Sequence, residues 1–205
     1  MIIEMRTYQL KPGTLPKFLE AFSTGLPARE KHSKLAAFWY TEVGALNQVI
    51  HVWPYESFEA RVEARAAASQ EPGWPPATRD FTISQTSEIF LPAPFSPKLE
   101  PRALGGIYEI RSYTLAPGTV PGMIDRWAAM IDERVKLSPL VAAWYSEIGG
   151  LNKWVHIWAY KDAAERQKIR AEAVARGIWP PGSPEGTLLK MENMLVVPAA
   201  FSPLK

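Results

Sequence analysis

Glutamate, arginine and tyrosine stand two residues apart in Glu4-Arg6-Tyr8 and again in Glu109-Arg111-Tyr113. His51 and Trp53 share that spacing, as do His156 and Trp158. Residues two apart on a strand face the same side, so each group presents its polar atoms together. A histidine near carboxylates suits general acid/base work, because small environmental shifts move its charge across neutral pH. His51 and His156 are therefore candidate catalytic groups, with Glu42 and Glu147 as alternative bases. Glu4, Arg6, Tyr8, Tyr40 and Trp53 are candidate ligand-binding residues, and so are Glu109, Arg111, Tyr113, Tyr145 and Trp158. Indole and phenol rings offer flat walls to a planar apolar molecule, with a few polar groups to anchor it. A lone histidine also serves as an axial haem ligand in some proteins, and a histidine satisfied within an interior network needs no ligand. The residues leave these uses open.

These groups recur because the chain repeats itself. Residues 1–76 match 106–181 at 30 of 76 positions without a gap, at a constant offset of 105. The copies then drift by one residue and end alike, at Phe95-Ser96-Pro97 and Phe201-Ser202-Pro203. Between them Phe18, Leu19 and Phe22 have become Met123, Ile124 and Trp127, so identity has drifted where only hydrophobicity is needed. The expected organisation is one repeat over 1–97, a linker over 98–106 and a second repeat over 107–205.

The elements follow from local pattern. Residues 2–10 alternate and stop at Pro12-Gly13, a strand and a turn. Leu15, Phe18, Leu19, Phe22 and Leu26 recur at helical spacing up to about Lys31. Thr14 is the expected cap and Pro16 is tolerated in the first turn. Gly25 and Pro27 suggest a kink or an early end in the first copy. Residues 35–43 and 46–55 read as strands joined by a tight hairpin at Gly44-Ala45. Ser57, or Asp162 in the second copy, caps a helix to about Ala68, and residues 81–91 form a fourth strand. The order β-α-β-β-α-β is the ferredoxin-like motif. A four-stranded sheet with helices on one face leaves the other bare. Two such repeats are expected to close face to face as a pseudo-twofold α/β barrel of the α+β class.

Strand alternation sorts the residues into two sets. Ile3, Met5, Ile50 and Val52 suit packing under helices, together with Trp39. Glu4, Arg6, Tyr8, Asn47, His51, Trp53 and Tyr55 are then expected inside the barrel, joined by Tyr40, Glu42 and Glu88. Arg61 and Arg166 follow the helix caps and suit salt bridges. The Trp74-Pro75-Pro76 and Trp179-Pro180-Pro181 loops are either a lid or a Trp pinned against the helix end.

Composition excludes several classes. There is no Cys among 205 residues, so disulfides, thiol catalysis and thiolate metal sites are out. His32 has no counterpart, which leaves one repeated His per copy and no expected metal site. Lys and Arg number 23 against 21 Asp and Glu, with no basic run interleaved with aromatics, which argues against nucleic acid. No phosphate loop and no G-x-S-x-G elbow occur. No apolar stretch approaches the ~20 residues of a membrane span. With no leader pattern at the N-terminus, the expectation is a cytoplasmic protein. It would have a small-molecule ligand, no resident cofactor and an intrachain pseudo-dimer that is able to form a homodimer. A non-catalytic interaction or structural module and a haem binder are the alternatives.

Each copy resembles the NIPSNAP family. The resemblance rests on E-x-R-x-Y at 4–8 and 109–113, L-x-P-G at 10–13 and 115–118, W-Y-x-E-x-G at 39–44 and 144–149, and L-N-x-x-x-H-x-W at 46–53 and 151–158. It implies ferredoxin-like units of the dimeric α/β-barrel superfamily. That superfamily includes cofactor-free monooxygenases, lactone isomerases, haem-dependent enzymes and proteins without known activity. It also implies a ligand between the sheet and its helices, where the residue pattern points to the space between the sheets.

Overall fold

The computed structural model describes residues 1–205. The first repeat runs β1 (Ile2–Leu10), α1 (Leu15–Arg29), β2 (Ala37–Val43), β3 (Gln48–Tyr55), α2 (Phe58–Ala68) and β4 (Thr82–Pro92). The second runs β5 (Ile107–Leu115), α3 (Val120–Ala128), α4 (Ile131–Val135), β6 (Leu140–Ile148), β7 (Lys153–Tyr160), α5 (Ala163–Ala175) and β8 (Leu188–Pro198). Each repeat forms an antiparallel sheet, β2-β3-β1-β4 and β6-β7-β5-β8. Antiparallel pairing of β2 with β8 and of β4 with β6 closes all eight strands into one barrel. The closure is made within a single chain. No helix is long and apolar enough to cross a membrane.

On β1, β2 and β3 the two strand faces are the reverse of the sequence expectation. On β4 the expectation holds, with Ile89 opposite Glu4 on the helix side and Glu88 opposite Met5 on the barrel side, where it accepts from Lys153 at 2.6 Å. The barrel interior is apolar: Ile3, Met5, Trp39, Ile50 and Val52 meet Tyr108, Ile110, Trp144, Val155 and Ile157 in one continuous core. The polar and aromatic residues instead face the helices, where Trp53 and Tyr55 pack with Phe18, Phe22 and Phe38. Trp39 lies in the barrel because the β2–β3 register sets it opposite Ile50. An eight-stranded barrel is just wide enough for side chains to fill it. It has no room for hydrated charges, and on the other face Glu4 meets Arg61 of α2 as well as Arg6 and Ser87 of its own sheet.

Two repeated residues serve the backbone. Asn47 is not a strand residue but closes a four-residue turn, Gly44–Asn47, with φ 57°, and Asn152 does the same with φ 56°. Asn tolerates this left-handed conformation because its short side chain bonds locally. Its carbonyl accepts the Leu10 amide at 2.8 Å. Gly25 permits a close approach, since a Cβ there would stand 2.8 Å from the Gly73 carbonyl oxygen. The helix α1 therefore runs unbroken past Gly25 and Pro27. In the second repeat Met130 occupies the matching position, and the helix breaks there into α3 and α4.

The caps follow the sequence with one exception. Ser57 Oγ accepts the Ala60 amide at 3.2 Å, and Asp162 Oδ1 accepts the Glu165 amide at 2.8 Å. Thr14 sits at the cap position of α1, but its hydroxyl donates back to the Lys11 carbonyl at 2.7 Å.

The Phe-Ser-Pro endings are exchanged between repeats. Phe201, from the second repeat, packs on Phe22 and Phe38 of the first at ring-centroid distances of 5.9 and 5.0 Å. Ser202 Oγ accepts the Phe38 amide at 2.9 Å. Reciprocally, Phe95 stacks on Trp127 at 6.4 Å and Ser96 Oγ accepts the Ala143 amide at 3.1 Å.

Candidate functional site

Register assembles the site on the helix-facing side of the first sheet. Glu4, Arg6 and Tyr8 of β1 lie opposite Trp53, His51 and Val49 of β3, and opposite Ile89, Ser87 and Gln85 of β4. Glu4 is fully buried. It accepts hydrogen bonds from Arg6 at 2.8 Å, Arg61 at 2.6 Å and Ser87 at 2.6 Å. Burial alone would push its carboxyl up. Hydrogen bonds from Arg61 and Ser87 and the charge of Arg6 outweigh it and hold the carboxyl at about 2. Arg6 also donates from Nε to the Tyr8 hydroxyl at 2.7 Å. The second repeat rebuilds this hub around Glu109, with Arg111 at 2.7 Å, Arg166 at 2.5 Å and Asn193 at 3.1 Å. Arg61 and Arg166 thus form the expected salt bridges.

His51 is buried beneath α1, edge-on to Tyr8 at 4.8 Å and stacked on Phe38 at 5.6 Å. The Trp53 indole N–H donates to its Nδ1 at 2.7 Å. An indole can only donate, so Nδ1 is the acceptor and the neutral ring carries its proton on Nε2. Burial, reinforced by the positive charge of Arg6, pushes the imidazole down to about 3. His51 therefore stays neutral, and its Nε2–H has no protein partner. Its one unpaired ring nitrogen thus carries a proton to donate. Haem does not fit these residues. Axial ligation through Nε2 would move the proton to Nδ1, against the indole N–H. His156 repeats the pair with Trp158 at 2.8 Å and is likewise pushed down by burial.

Arg29 completes the wall. Its guanidinium lies over Trp53 at 4.6 Å and Trp74 at 5.9 Å, and Nη2 donates to the Tyr55 hydroxyl at 2.7 Å. The residue is 2% exposed, and Nη1 has no partner. In the second repeat Arg134 lies over Trp158 at 4.1 Å and bonds Ser138 and Tyr160.

A cavity of about 610 Å³ opens between the first sheet, α1, α2 and the Trp74 loop. Of the sequence candidates it is lined by Arg6, Tyr8, His51 and Trp53. Glu4 lies beneath it and holds Arg6 in place. Tyr40 packs against the helix-side core, and Glu42 is exposed at the end of β2, away from the cavity. The matching cavity in the second repeat is about 400 Å³ and is lined by Arg111 and Tyr113. His156 and Trp158 lie behind Trp127 and do not line it. Glu109 lies beneath it, Tyr145 packs in the core, and Glu147 is exposed. Trp74 is both pinned and a wall: it meets Phe22 edge-on at 5.5 Å and lines the cavity rim. No cluster of three or more His, Asp and Glu side chains forms a metal site.

Sequence reasoning missed Arg29, Arg65 and Arg79, which also line the first cavity. A signal existed for two of them. Arg29 and Arg134, and Arg65 and Arg170, keep the offset of 105 in helices where most other residues have drifted.

Comparison with known proteins agrees with the duplicated fold. The NIPSNAP family model matches residues 3–97 and again 108–203. Protein NipSnap homolog 3A of Homo sapiens is 31% identical over 215 residues, covering 98% of this chain and 85% of its own length. A solved structure from Lactobacillus acidophilus NCFM, called "putative monooxygenase", superposes with a TM-score of 0.67 at 8% identity, over 96% of this chain and 93% of its own. An anthrone oxidase-like protein gives 0.61 at 9% identity, over 98% and 93%. At such identities the two structures share the fold and nothing further is drawn from them.

Proposed function

The chain belongs to the NIPSNAP family, and from that premise we propose that its first repeat binds a small planar molecule in the cavity between sheet and helices. The observation that carries this is the cavity of about 610 Å³ with His51, whose Nε2–H is buried and unpartnered, among its lining residues. A buried donor without an acceptor costs roughly 1–3 kcal/mol, and a ligand oxygen would relieve that cost. Tyr8, Phe22, Trp53 and Trp74 supply flat walls. The volume falls in the range of small-molecule sites.

The chemistry this wall favours is stabilisation of negative charge on a ligand oxygen, with His51 and Arg6 as donors. That holds the charge of an aromatic oxyanion that arrives ionised, since no carboxylate lines the cavity to take up a proton. Glu42 and Glu147 have no part in it. A structural reading is favoured by the second repeat, which keeps the Glu109 hub and the His156–Trp158 pair where no cavity reaches His156.

The test is Phe22→Trp, which gives the first cavity the ring of the second. A thermal-shift screen with planar aromatics, quinones, lactones and flavins should yield hits on the wild type that this variant loses, since binding the folded state alone raises Tm. A flat wild-type screen at millimolar ligand would leave the structural reading in place.

A further inference from the structure

Arginine outnumbers carboxylate around the first cavity. Arg6, Arg29, Arg65 and Arg79 line it, and no Asp or Glu does. The one carboxylate nearby, Glu4, is already bound to Arg6 and Arg61 and lies 3.9 Å from Arg65. Arg29 has no carboxylate within salt-bridge distance, although it is 2% exposed. A buried charge without a counterion is costly. Its one acceptor in the protein is the Tyr55 hydroxyl, which itself donates to Glu4 Oε2 at 3.4 Å, and Arg29 is among the residues that line the cavity.

We propose that the ligand of the first cavity is a planar aromatic carboxylate whose charge is balanced by Arg29, with Arg65 and Arg79 at the mouth. This rests on the binding reading above and adds the chemistry of the headgroup. A carboxylate fits better than a phosphate dianion because the one buried guanidinium has a single free amino nitrogen. Arg79 is exposed and Arg65 half-buried, and both act at longer range than Arg29. The stacking of Arg29 on Trp53 and Trp74 also fixes its plane, and a flat acid can lie against the same indoles. A low-dielectric cleft of one sign concentrates ligands of the other.

The test compares 2-naphthoate, 2-naphthamide and 2-naphthyl phosphate by calorimetry on the full chain. The acid should bind at least about tenfold more tightly than the amide, the scale of one charge-assisted hydrogen bond. That preference should collapse in Arg29→Met and shrink about threefold in Arg79→Met, a surface change that leaves the core intact. Raising NaCl from about 0.05 to 0.5 M should weaken the acid and not the amide. Equal binding of acid and amide overturns the inference and leaves the binding reading standing. Tighter binding of the phosphate overturns the carboxylate assignment. If none of the three binds, the planar-ligand reading itself falls.

Discussion

The two cavities share a frame and differ in their filling. Arg6, Tyr8, Arg29, Arg65 and Trp74 of the first have Arg111, Tyr113, Arg134, Arg170 and Trp179 in the second. At the centre Phe22 is replaced by Trp127, which sits 4.6 Å from His156 and 4.5 Å from Trp179. Along the wall Ser69, Thr82 and Gln85 give way to Val174, Leu188 and Met191. One copy thus keeps a polar cavity that reaches its histidine, and in the other the histidine does not line the cavity. The hubs at Glu4 and Glu109 and the His–Trp pairs persist in both. Parts kept even where no ligand reaches belong first to the architecture; the parts that differ set what is bound.

This division makes predictions. Glu4→Gln and Glu109→Gln should each cost about 3–5 kcal/mol, because each leaves buried guanidinium groups without their counterion. Both should lower Tm by similar amounts in calorimetry. A large effect at Glu4 with none at Glu109 would break the architectural reading.

Acid should act on both halves as well. The His51 imidazole stays neutral in the fold down to about 3, while an unfolded imidazole takes up a proton near 6.5. The contribution is therefore fully present above pH 6.5 and lost as pH falls towards 3, at about 1.4 kcal/mol per unit. His156 shifts in the same direction. Glu4 adds a further loss between 4.5 and about 2, since its native carboxyl resists protonation. Urea unfolding at stepped pH should show this slope, and His51→Phe or His156→Phe should each flatten it below pH 6.5.

Trp127→Phe sharpens the contrast between cavities. It should cost about 1–2 kcal/mol for the space left behind and enlarge the second cavity towards His156, read as a new thermal-shift response to planar probes. Smaller still, Ser57→Ala and Asp162→Ala should each cost about 1 kcal/mol as lost caps. Thr14→Ala should stay within about 0.5 kcal/mol, because its hydroxyl caps nothing. Chemical denaturation separates the two classes.

Much of this was legible in the sequence. The offset of 105 exposed the duplication, and the alternation of Glu4, Arg6 and Tyr8 grouped the residues that do share a face. Alternation has no sign, however. Both faces of each sheet are buried, one against the other sheet and one against helices, so period two separates the sets without saying which is which. Placing aliphatics under the helices inverted β1 and β3, and Trp39 and Tyr40 followed, whereas on β4 it set Ile89 and Glu88 on the right sides. Arg29 and Arg65 were readable only as repeats, since a lone arginine on a helix ordinarily marks a solvated face. Trp127 was visible as a conservative change of Phe22, but its effect on volume depends on the distance to His156, which no pattern carries.

The exchanged endings have a consequence in time. The first repeat closes its helix-side core with Phe201 and Ser202, which are synthesised about 110 residues after the end of β4 at Pro92. At ~5–20 residues per second, its own strands wait ~5–20 s for that ring after they are made. The second repeat finds Phe95 and Ser96 already present when its strands emerge. The half that begins first is finished last.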